Sequence, residues 1–275
     1  MAGVPLTDLL GLIAILIVSG AFAGLIAGLF GVGGGTVIVP ALFYAFEVLG
    51  LGGEMNLHVA VGSSLAVIIA TSFRSLAAHR AHGAVDEDVL KRWTPWVALG
   101  GLVGAGVAAV VSAAGLGLVY AVCVTLVAIQ MGLMPRHWKL ASDTPTGAPR
   151  AALGTGIGLL SALMGVGGGA MGGMVMTLCG KPIHRAVATA SGFGLAIGIP
   201  AALGFIVAGW SSEGRPPLSL GYVNIPAVLV MGVITTAVAP WGARLAHRLN
   251  QDVLRRSFAF FLLATAISIA AQTLA

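Results

Sequence analysis

Hydrophobic residues occupy most of the chain in long blocks, which short polar intervals separate. Many of these blocks approach the roughly 20 residues that an α-helix needs to cross the hydrocarbon core of a bilayer. The pattern leaves room for about eight to ten membrane segments. The longest polar interval, residues 135–150, is too short to fold alone. We therefore predict an all-α polytopic membrane protein without a separate soluble domain.

Composition and charge support this prediction and exclude several other classes. Of the 275 residues, 58% are hydrophobic and only 8% are charged, whereas about a quarter of the residues in soluble domains are charged. The net charge of +5 comes from 14 lysines and arginines scattered at segment ends, where they set membrane orientation rather than bind nucleic acid. The two cysteines, Cys123 and Cys179, lie in apolar stretches without metal-ligand spacing, so we predict neither a metal site nor a cofactor.

The chain contains an internal repeat, which is the strongest signal in the sequence. The glycine-rich run FGVGGG at 30–35 recurs as MGVGGG at 164–169, and a His-x-Ala-Val stretch follows each run, at 58–61 and 184–187. Two motifs in the same order, about half a chain apart, indicate duplication. The predicted divisions are a first transmembrane repeat (1–134), a cytoplasmic linker (135–150) and a second transmembrane repeat (151–275), all within one membrane domain.

Basic residues predict how the two repeats are oriented. Cytoplasmic loops are enriched in Lys and Arg, which places most basic groups of this chain inside and leaves Arg215 for an outer loop. Arg150 and Lys181 then both lie inside, although the interval between them is shorter than the roughly 40 residues that two crossings need. We therefore expect 165–169 to form a re-entrant segment within the membrane. By the same reasoning the first glycine run enters from the opposite face, so we predict inverted repeats.

The two glycine runs, which we call the first glycine tip (31–35) and the second glycine tip (165–169), are predicted to interrupt helices. Three consecutive glycines cost a helix about 1 kcal/mol each, so a break is favoured over simple packing. Backbone at membrane depth must line protein or a watered cavity, because unpaired amides and carbonyls are costly in lipid. In secondary transporters, interrupted helices of inverted repeats present free amides to anions. Helices beginning near Thr36 and Ala170 are expected to supply these amides.

The predicted substrate site combines the glycine tips with the hydroxyl groups that follow the two histidines. Its residues are Gly33, Gly34, Gly35, Thr36, Ser63, Ser64, Gly167, Gly168, Gly169, Ala170, Thr189 and Ser191. A hydroxyl in a membrane helix also bonds carbonyls of its own helix, and this alternative stays open. His58 and His184 are candidates for proton coupling because histidine titrates near physiological pH. The alternative is that they cap helix starts at the membrane interface.

Other glycines and the aromatic residues have simpler interpretations. Glycines spaced four apart are typical of close helix packing in membranes. They are Gly20, Gly24 and Gly28, Gly154 and Gly158, and Gly194 and Gly198. Aromatic residues at the ends of predicted segments are typical of a membrane-interface belt. They are Trp93, Trp96, Trp138, Trp210, Tyr222 and Trp241.

Residues 31–40, GVGGGTVIVP, resemble the first signature of the TauE/SafE family of sulfite and organosulfonate exporters, also known as DUF81. The second glycine tip, the two His-x-Ala-Val stretches and the GAVD loop at 83–86 fit the same family, over nearly the whole chain. The resemblance implies a multi-pass transporter of the bacterial inner membrane for small sulfur-containing anions. The sequence AMGG at 170–173 departs from the bulkier residues after the first glycine tip. These extra glycines either widen a cavity or pack.

The function predicted from these observations is that of a secondary carrier. It exports a sulfur anion, such as sulfite or sulfoacetate, by alternating access, and a proton or the membrane potential drives it. The alternative is a passive anion channel, whose flux would show no counter-transport. We expect no enzyme, since the sequence has no HExxH motif, no Ser and His pair at a recognisable spacing and no paired membrane aspartates. The sequence leaves open whether the protein is a homo-oligomer.

Overall fold

A computed structural model describes residues 6–30, 34–48, 50–51, 53–133, 140–246 and 251–274. Within these ranges the chain forms ten α-helices and one small antiparallel hairpin. The elements are α1 (Leu6–Phe30), α2 (Gly35–Val48), α3 (Asn56–Ala81), α4 (Glu87–Ala108), α5 (Ala113–Leu133), α6 (Gly147–Met164), α7 (Gly169–Leu178), α8 (Ile183–Ala208), β1 (Ser219–Leu220), β2 (Val223–Asn224), α9 (Ile225–Ala246) and α10 (Gln251–Leu274). The all-α prediction is confirmed.

Several of these helices have the length and hydropathy of membrane spans. Among the described residues, four segments meet both criteria: Asn56–Ala81, Ala113–Gln130, Ile183–Ala208 and Ile225–Gly242. Helices α2 and α7 are apolar but shorter. The protein is therefore a polytopic membrane protein, as predicted, while the number of full crossings stays a prediction.

Each glycine tip separates a long helix from a short one, as the sequence predicts. Helix α2 begins at Gly35 and helix α7 begins at Gly169, within one residue of the expected Thr36 and Ala170. Gly34 has a φ of 75° and Gly165 a φ of 65°, a left-handed backbone that glycine adopts without steric cost. The breaks therefore follow from the glycines themselves. Residues 31–33, including Gly33, lie outside the described residues.

The predicted packing glycines bring helices of opposite halves into backbone contact. A Cβ added to Gly24 of α1 would lie 2.7 Å from the carbonyl oxygen of Thr235 in α9. One added to Gly158 of α6 would lie 2.1 Å from the carbonyl oxygen of Val97 in α4. Such distances leave room only for hydrogen, so small residues are required at these crossings. This interpretation is confirmed at the described crossings of α1 with α9 and of α6 with α4.

Helices α3 and α8 form an antiparallel pair at the centre of the bundle. A Cβ on Gly62, near the start of α3, would lie 3.1 Å from the Phe205 ring, near the end of α8. Further along α3, the Ser72 hydroxyl would lie 2.1 Å from a Cβ on Gly194, nearer the start of α8. Antiparallel equivalent helices are what inverted repeats require. The inverted orientation and the division at 135–150 stay predictions, and these contacts favour the inverted orientation.

The predicted aromatic belt is wrong for Trp93 and for Tyr222. Trp93 is 1% exposed and stacks on Phe193 of α8, with ring centroids 6.3 Å apart. It lies on the buried stripe of α4 together with Val89 and Val97, which have the spacing of one helix face. Tyr222 is also buried. Trp96, Trp210 and Trp241 are exposed, and Trp138 lies outside the described residues.

The described part of the linker docks on the loop between α7 and α8 through a backbone hydrogen bond and an ion pair. The Leu140 amide donates to the Leu178 carbonyl at 2.8 Å, and Lys181 lies 3.2 Å from the Asp143 carboxylate. The hydrogen bond from the Thr144 amide is the largest cause that lowers the pKa of Asp143, and the interaction with Lys181 is the next. A lowered pKa in the folded state stabilises the contact at neutral pH, and this contribution is lost as the pH falls below about 4.

We therefore expect the Leu140 amide to exchange its hydrogen faster at acidic pH, after correction for the intrinsic exchange rate. Hydrogen–deuterium exchange across the acidic range measures this effect. The Asp143→Asn variant is the control, because it removes the titrating group and the pH dependence with it. Identical pH profiles in the variant and the unmodified protein would contradict this assignment.

Candidate functional site

The two glycine tips meet inside the bundle. A Cβ added to Gly35 would lie 2.6 Å from the carbonyl oxygen of Gly165 and 2.8 Å from the Cα of Val166. Gly165 in turn faces the backbone of Val61 in α3, at 3.0 Å from an added Cβ. Residues 161–170 are all buried. Gly35 and the second glycine tip are therefore in backbone contact.

The short helices α2 and α7 each begin with backbone amides that have no acceptor carbonyl within their own helix. The first bonds of α2 run from the Val37 and Ile38 amides to the Gly34 carbonyl, at 2.9 and 3.0 Å. At α7 the first bond runs from the Gly172 amide to the Gly168 carbonyl, at 2.7 Å. The amides before these positions have no acceptor carbonyl within their own helix. Together with the helix dipole, they create a positive potential at the tips.

Two buried hydroxyl groups near the tips have no hydrogen-bond partner among the described residues. One is Thr36 Oγ1, at the start of α2, and the other is Ser161 Oγ, in α6 one turn before the second glycine tip. Thr36 is 1% exposed and Ser161 is fully buried. Unpaired buried hydroxyls are uncommon. Sequence reasoning included Thr36 but missed Ser161, for which the available signal was a lone serine four residues before Gly165.

Of the predicted hydroxyls in α3 and α8, Ser64 reaches a tip. Its Oγ donates to the Gly165 carbonyl at 2.7 Å. This bond satisfies a carbonyl that the left-handed backbone turns away from helix α6. Ser64 therefore stabilises the second glycine tip by fixing the conformation of Gly165.

Ser63 and Thr189 hold matching positions in the repeats and make matching contacts away from the tips. Ser63 Oγ accepts a hydrogen bond from the backbone amide of Asn224 at 2.8 Å, and Thr189 Oγ1 accepts one from the backbone amide of Asp86 at 2.9 Å. Asn224 immediately precedes α9, and Asp86 immediately precedes α4. Their side-chain oxygens accept hydrogen bonds from the backbone amides three residues later, at 3.0 and 3.2 Å. Ser63, in the first half, thus binds the residue that caps α9 in the second half. Thr189, in the second half, binds the residue that caps α4 in the first half.

The remaining predicted residues lie in differing surroundings. Ser191 donates to the Ala188 carbonyl of its own helix at 2.6 Å, which is the alternative stated above. His58 is buried, and its Nε2 donates to the Val111 carbonyl at 3.1 Å. His184 is exposed at the second position of α8. The two histidines are therefore not equivalent, and their role in proton coupling stays a prediction.

The second glycine tip packs closely on α8. A Cβ on Gly168 would lie 2.4 Å from the Phe193 Cβ, and one on Gly172 would lie 2.6 Å from the Phe193 ring. A Cβ on Gly167 would lie 3.1 Å from Ile68 and 4.0 Å from the Ser72 hydroxyl. Gly172 is one of the extra glycines of the second repeat, and it packs rather than widening a cavity.

A polytopic helical bundle with helix breaks at glycine runs is an arrangement that membrane transport proteins use. Comparison with known proteins gives the family. Residues 16–269 match the family described as Sulfite exporter TauE/SafE. The chain therefore belongs to this family and is a membrane transporter.

Individual relatives agree with this assignment. A "Probable membrane transporter protein" of Haemophilus influenzae is 31% identical over 253 residues, which cover 90% of this chain and 94% of the relative. A protein of the same description from Methanocaldococcus jannaschii is 27% identical over 255 residues, or 90% of this chain and 91% of the relative. These relatives are named as transporters and not as enzymes. No solved structure matches the chain.

Proposed function

We propose that the protein is a secondary transporter that exports a small sulfur-containing anion, such as sulfite or an organosulfonate like sulfoacetate, by alternating access. The observation that carries this proposal is the buried backbone contact between Gly35 and Gly165. It places the N-terminus of α2, with the unpaired Thr36 hydroxyl, against the second glycine tip, at the end of which α7 begins. Helix N-termini of this kind bind anions in proteins and in transporters.

The chemistry of the site suits an oxyanion that must bind and then leave. The groups around the tips are backbone amides, hydroxyls and apolar side chains, including Thr36, Ser64, Ile68 and Phe193. Lys181, the nearest basic residue after α7, is paired with Asp86 and Asp143. Neutral donors hold several oxygen atoms at once without the tight binding that a bidentate arginine gives. A sulfite or sulfonate group has three oxygens to accept such bonds.

The architecture also supports a carrier over a passive channel. Residues 161–170 are buried, so the second glycine tip is closed to solvent in this structure, as an occluded carrier requires. Helices α3 and α8, with the tips packed against them, supply a central element about which two halves can move. Energy coupling to a proton, through His58 or His184, or to the membrane potential belongs to the same proposal.

Flux measured in proteoliposomes tests this function. Purified protein is expected to move sulfite or sulfoacetate with saturable kinetics, and anion on the opposite side is expected to accelerate that movement. Flux that neither saturates nor shows counter-transport would favour the channel. The carrier proposal fails if no anion moves under any imposed gradient.

Thr36→Val tests the binding site itself. The variant replaces the hydroxyl by a methyl group of the same shape, and because that hydroxyl has no protein partner, we expect thermal stability to be unchanged or slightly raised. Anion affinity is expected to fall about tenfold, since a hydrogen bond to a charged group is lost. Titration of sulfite into purified protein and a thermal melt measure the two effects.

Two variants control this experiment. Thr36→Ser keeps the hydroxyl and should retain the affinity. Ser64→Ala should instead lower stability, by about 1–3 kcal/mol, because it leaves the buried Gly165 carbonyl without its donor. If Thr36→Val lowers stability and leaves sulfite affinity intact, the hydroxyl belongs to the fold and not to the site.

A further inference from the structure

Two equivalent hydrogen bonds connect the halves of the molecule. Ser63 lies five residues after His58, and Thr189 lies five residues after His184. Ser63 accepts from the amide that precedes α9, and Thr189 accepts from the amide that precedes α4. Each bond therefore holds the first turn of a helix from one half against the central helix of the other half.

Each of these bonds lies beside a glycine tip. Ser64, the neighbour of Ser63, donates to Gly165. Ala190, the neighbour of Thr189, lies 3.4 Å from a Cβ added to Gly172, in the first turn of α7. Because α3 and α8 are antiparallel, the two bonds approach the tips from opposite ends of the central pair.

At the end where α3 begins, a folded segment packs against α3. The hairpin of β1 and β2 places the Tyr222 carbonyl 2.3 Å from a Cβ added to Gly62, one residue before Ser63. The Tyr222 hydroxyl shares a hydrogen bond with Ser212 at 2.7 Å, and its amide donates to the Phe205 carbonyl at 3.1 Å. The Asn224 bond to Ser63 joins the same segment to α3 on the predicted outer side.

At the end where α8 begins, the closure is ionic. Asp86, whose amide bonds Thr189, also accepts from Lys181 at 3.3 Å, and Lys181 reaches Asp143 of the linker at 3.2 Å. Each end thus carries a contact between the two halves. The contacts at the two ends differ, but the same hydroxyl position lies at the centre of each.

We propose that the Ser63 bond to Asn224 and the Thr189 bond to Asp86 are the two gate contacts of the transporter, and that they open alternately to expose the glycine tips on opposite sides. This inference rests on the proposed alternating access. Each contact is a neutral hydrogen bond between halves, and at the α8 end the ion pair of Lys181 with Asp86 opens together with it. The duplicated hydroxyl therefore serves access to the site rather than binding of the anion.

Thiol labelling of a reporter at the tips tests the gates without any substrate. Thr36→Cys places a thiol beside the first glycine tip, and the native Cys123 and Cys179 are buried, so the unmodified protein gives the background. A membrane-impermeant methanethiosulfonate is applied to the outer face in cells and to the inner face in inverted vesicles. Adding Ser63→Ala is expected to raise labelling about fivefold from the outer face alone, and adding Thr189→Ala from the inner face alone.

Conservative variants separate a gate from a purely structural bond. Ser63→Thr and Thr189→Ser keep the acceptor oxygen, and each should label as slowly as Thr36→Cys alone. The proposal is overturned if neither alanine variant changes labelling, or if both change it from the same face. Anion flux in proteoliposomes is measured separately, so a protein that gates correctly but moves no sulfur anion would refute the proposed substrate and leave the gates standing.

Hydrogen exchange tests the gates in the unmodified protein, so the result does not depend on whether a variant folds. Gates that open in the native state should let the Asn224 and Asp86 amides exchange by local opening, faster than amides in the middle of α3. Exchange of both amides only at the rate of global unfolding would overturn the proposal.

Discussion

Gly35→Ala is expected to abolish anion transport, because the added methyl group would lie 2.6 Å from the Gly165 carbonyl oxygen and 2.8 Å from the Val166 Cα. Both are backbone atoms, which cannot rotate away as a side chain can. The start of α2 and the second glycine tip must therefore separate, and this displaces the Thr36 hydroxyl from the proposed site. Overpacking of this kind costs about 1–3 kcal/mol, so we expect transport to fall at least tenfold. Initial rates of sulfite or sulfoacetate flux in proteoliposomes measure the loss.

Gly156→Ala is the matched control for this variant. Gly156 lies in α6, the helix that leads to the second glycine tip, and nothing lies within 4 Å of an added Cβ there. The control should retain transport and gain slightly in helix stability, since alanine favours helix over glycine. Near-normal flux in Gly35→Ala would show that the tips need no backbone contact, and it would remove the basis for the proposed site.

Gly158→Val is expected to prevent correct assembly of the bundle. A Cβ at this position would lie 2.1 Å from the Val97 carbonyl oxygen, 2.7 Å from the Gly101 amide nitrogen and 2.9 Å from the Gly100 Cα. All three are backbone atoms of α4, so α6 and α4 must move apart along their whole crossing. We expect the thermal midpoint to fall by 5 °C or more, on the order of the cost of overpacking. A fluorescence-monitored melt in detergent measures this shift.

Gly156→Val controls this second variant with the same side chain two positions away. Its surroundings are open, and valine is no poorer a helix former than the glycine it replaces, so we expect little or no loss of thermal stability. Equal melting points for the two valine variants would contradict the close crossing of α4 and α6. This pair reports on assembly, whereas the Gly35 pair reports on transport, so the two experiments separate packing glycines from tip glycines.

Glycine positions were largely predictable because their effect is local. Gly34 and Gly165 have backbone angles that other residues adopt only at a cost, so a run of glycines in an apolar stretch already indicates a break. Spacing of four likewise indicates a helix face that admits a close neighbour. The sequence could not tell which helix that neighbour is. Gly158 meets α4 and Gly24 meets α9, and both partners are far away along the chain.

The sequence indicated which hydroxyl groups lie near the glycine runs in the repeats, but it did not indicate which groups they bond. The repeat relates Ser63 to Thr189, and the structure preserves that relation. Ser63 nevertheless bonds Asn224 and Thr189 bonds Asp86, while Ser64 alone of the four reaches a tip. A hydroxyl can donate and accept in several directions, so its partner depends on which backbone group the fold brings near.

The sequence by itself determined the membrane class, the starts of α2 and α7 at the two glycine breaks and the resemblance to the TauE/SafE family. These features follow from hydropathy, from the conformational freedom of glycine and from motifs that can be read within a short stretch of chain. The tertiary structure alone decided that Trp93 is buried on Phe193, that Ser161 is an unpaired hydroxyl near the second glycine tip, and that Ser63 and Thr189 hold opposite helix caps. Each of these depends on how distant helices dock, because burial and hydrogen bonding are properties of the assembled neighbours and not of the residue.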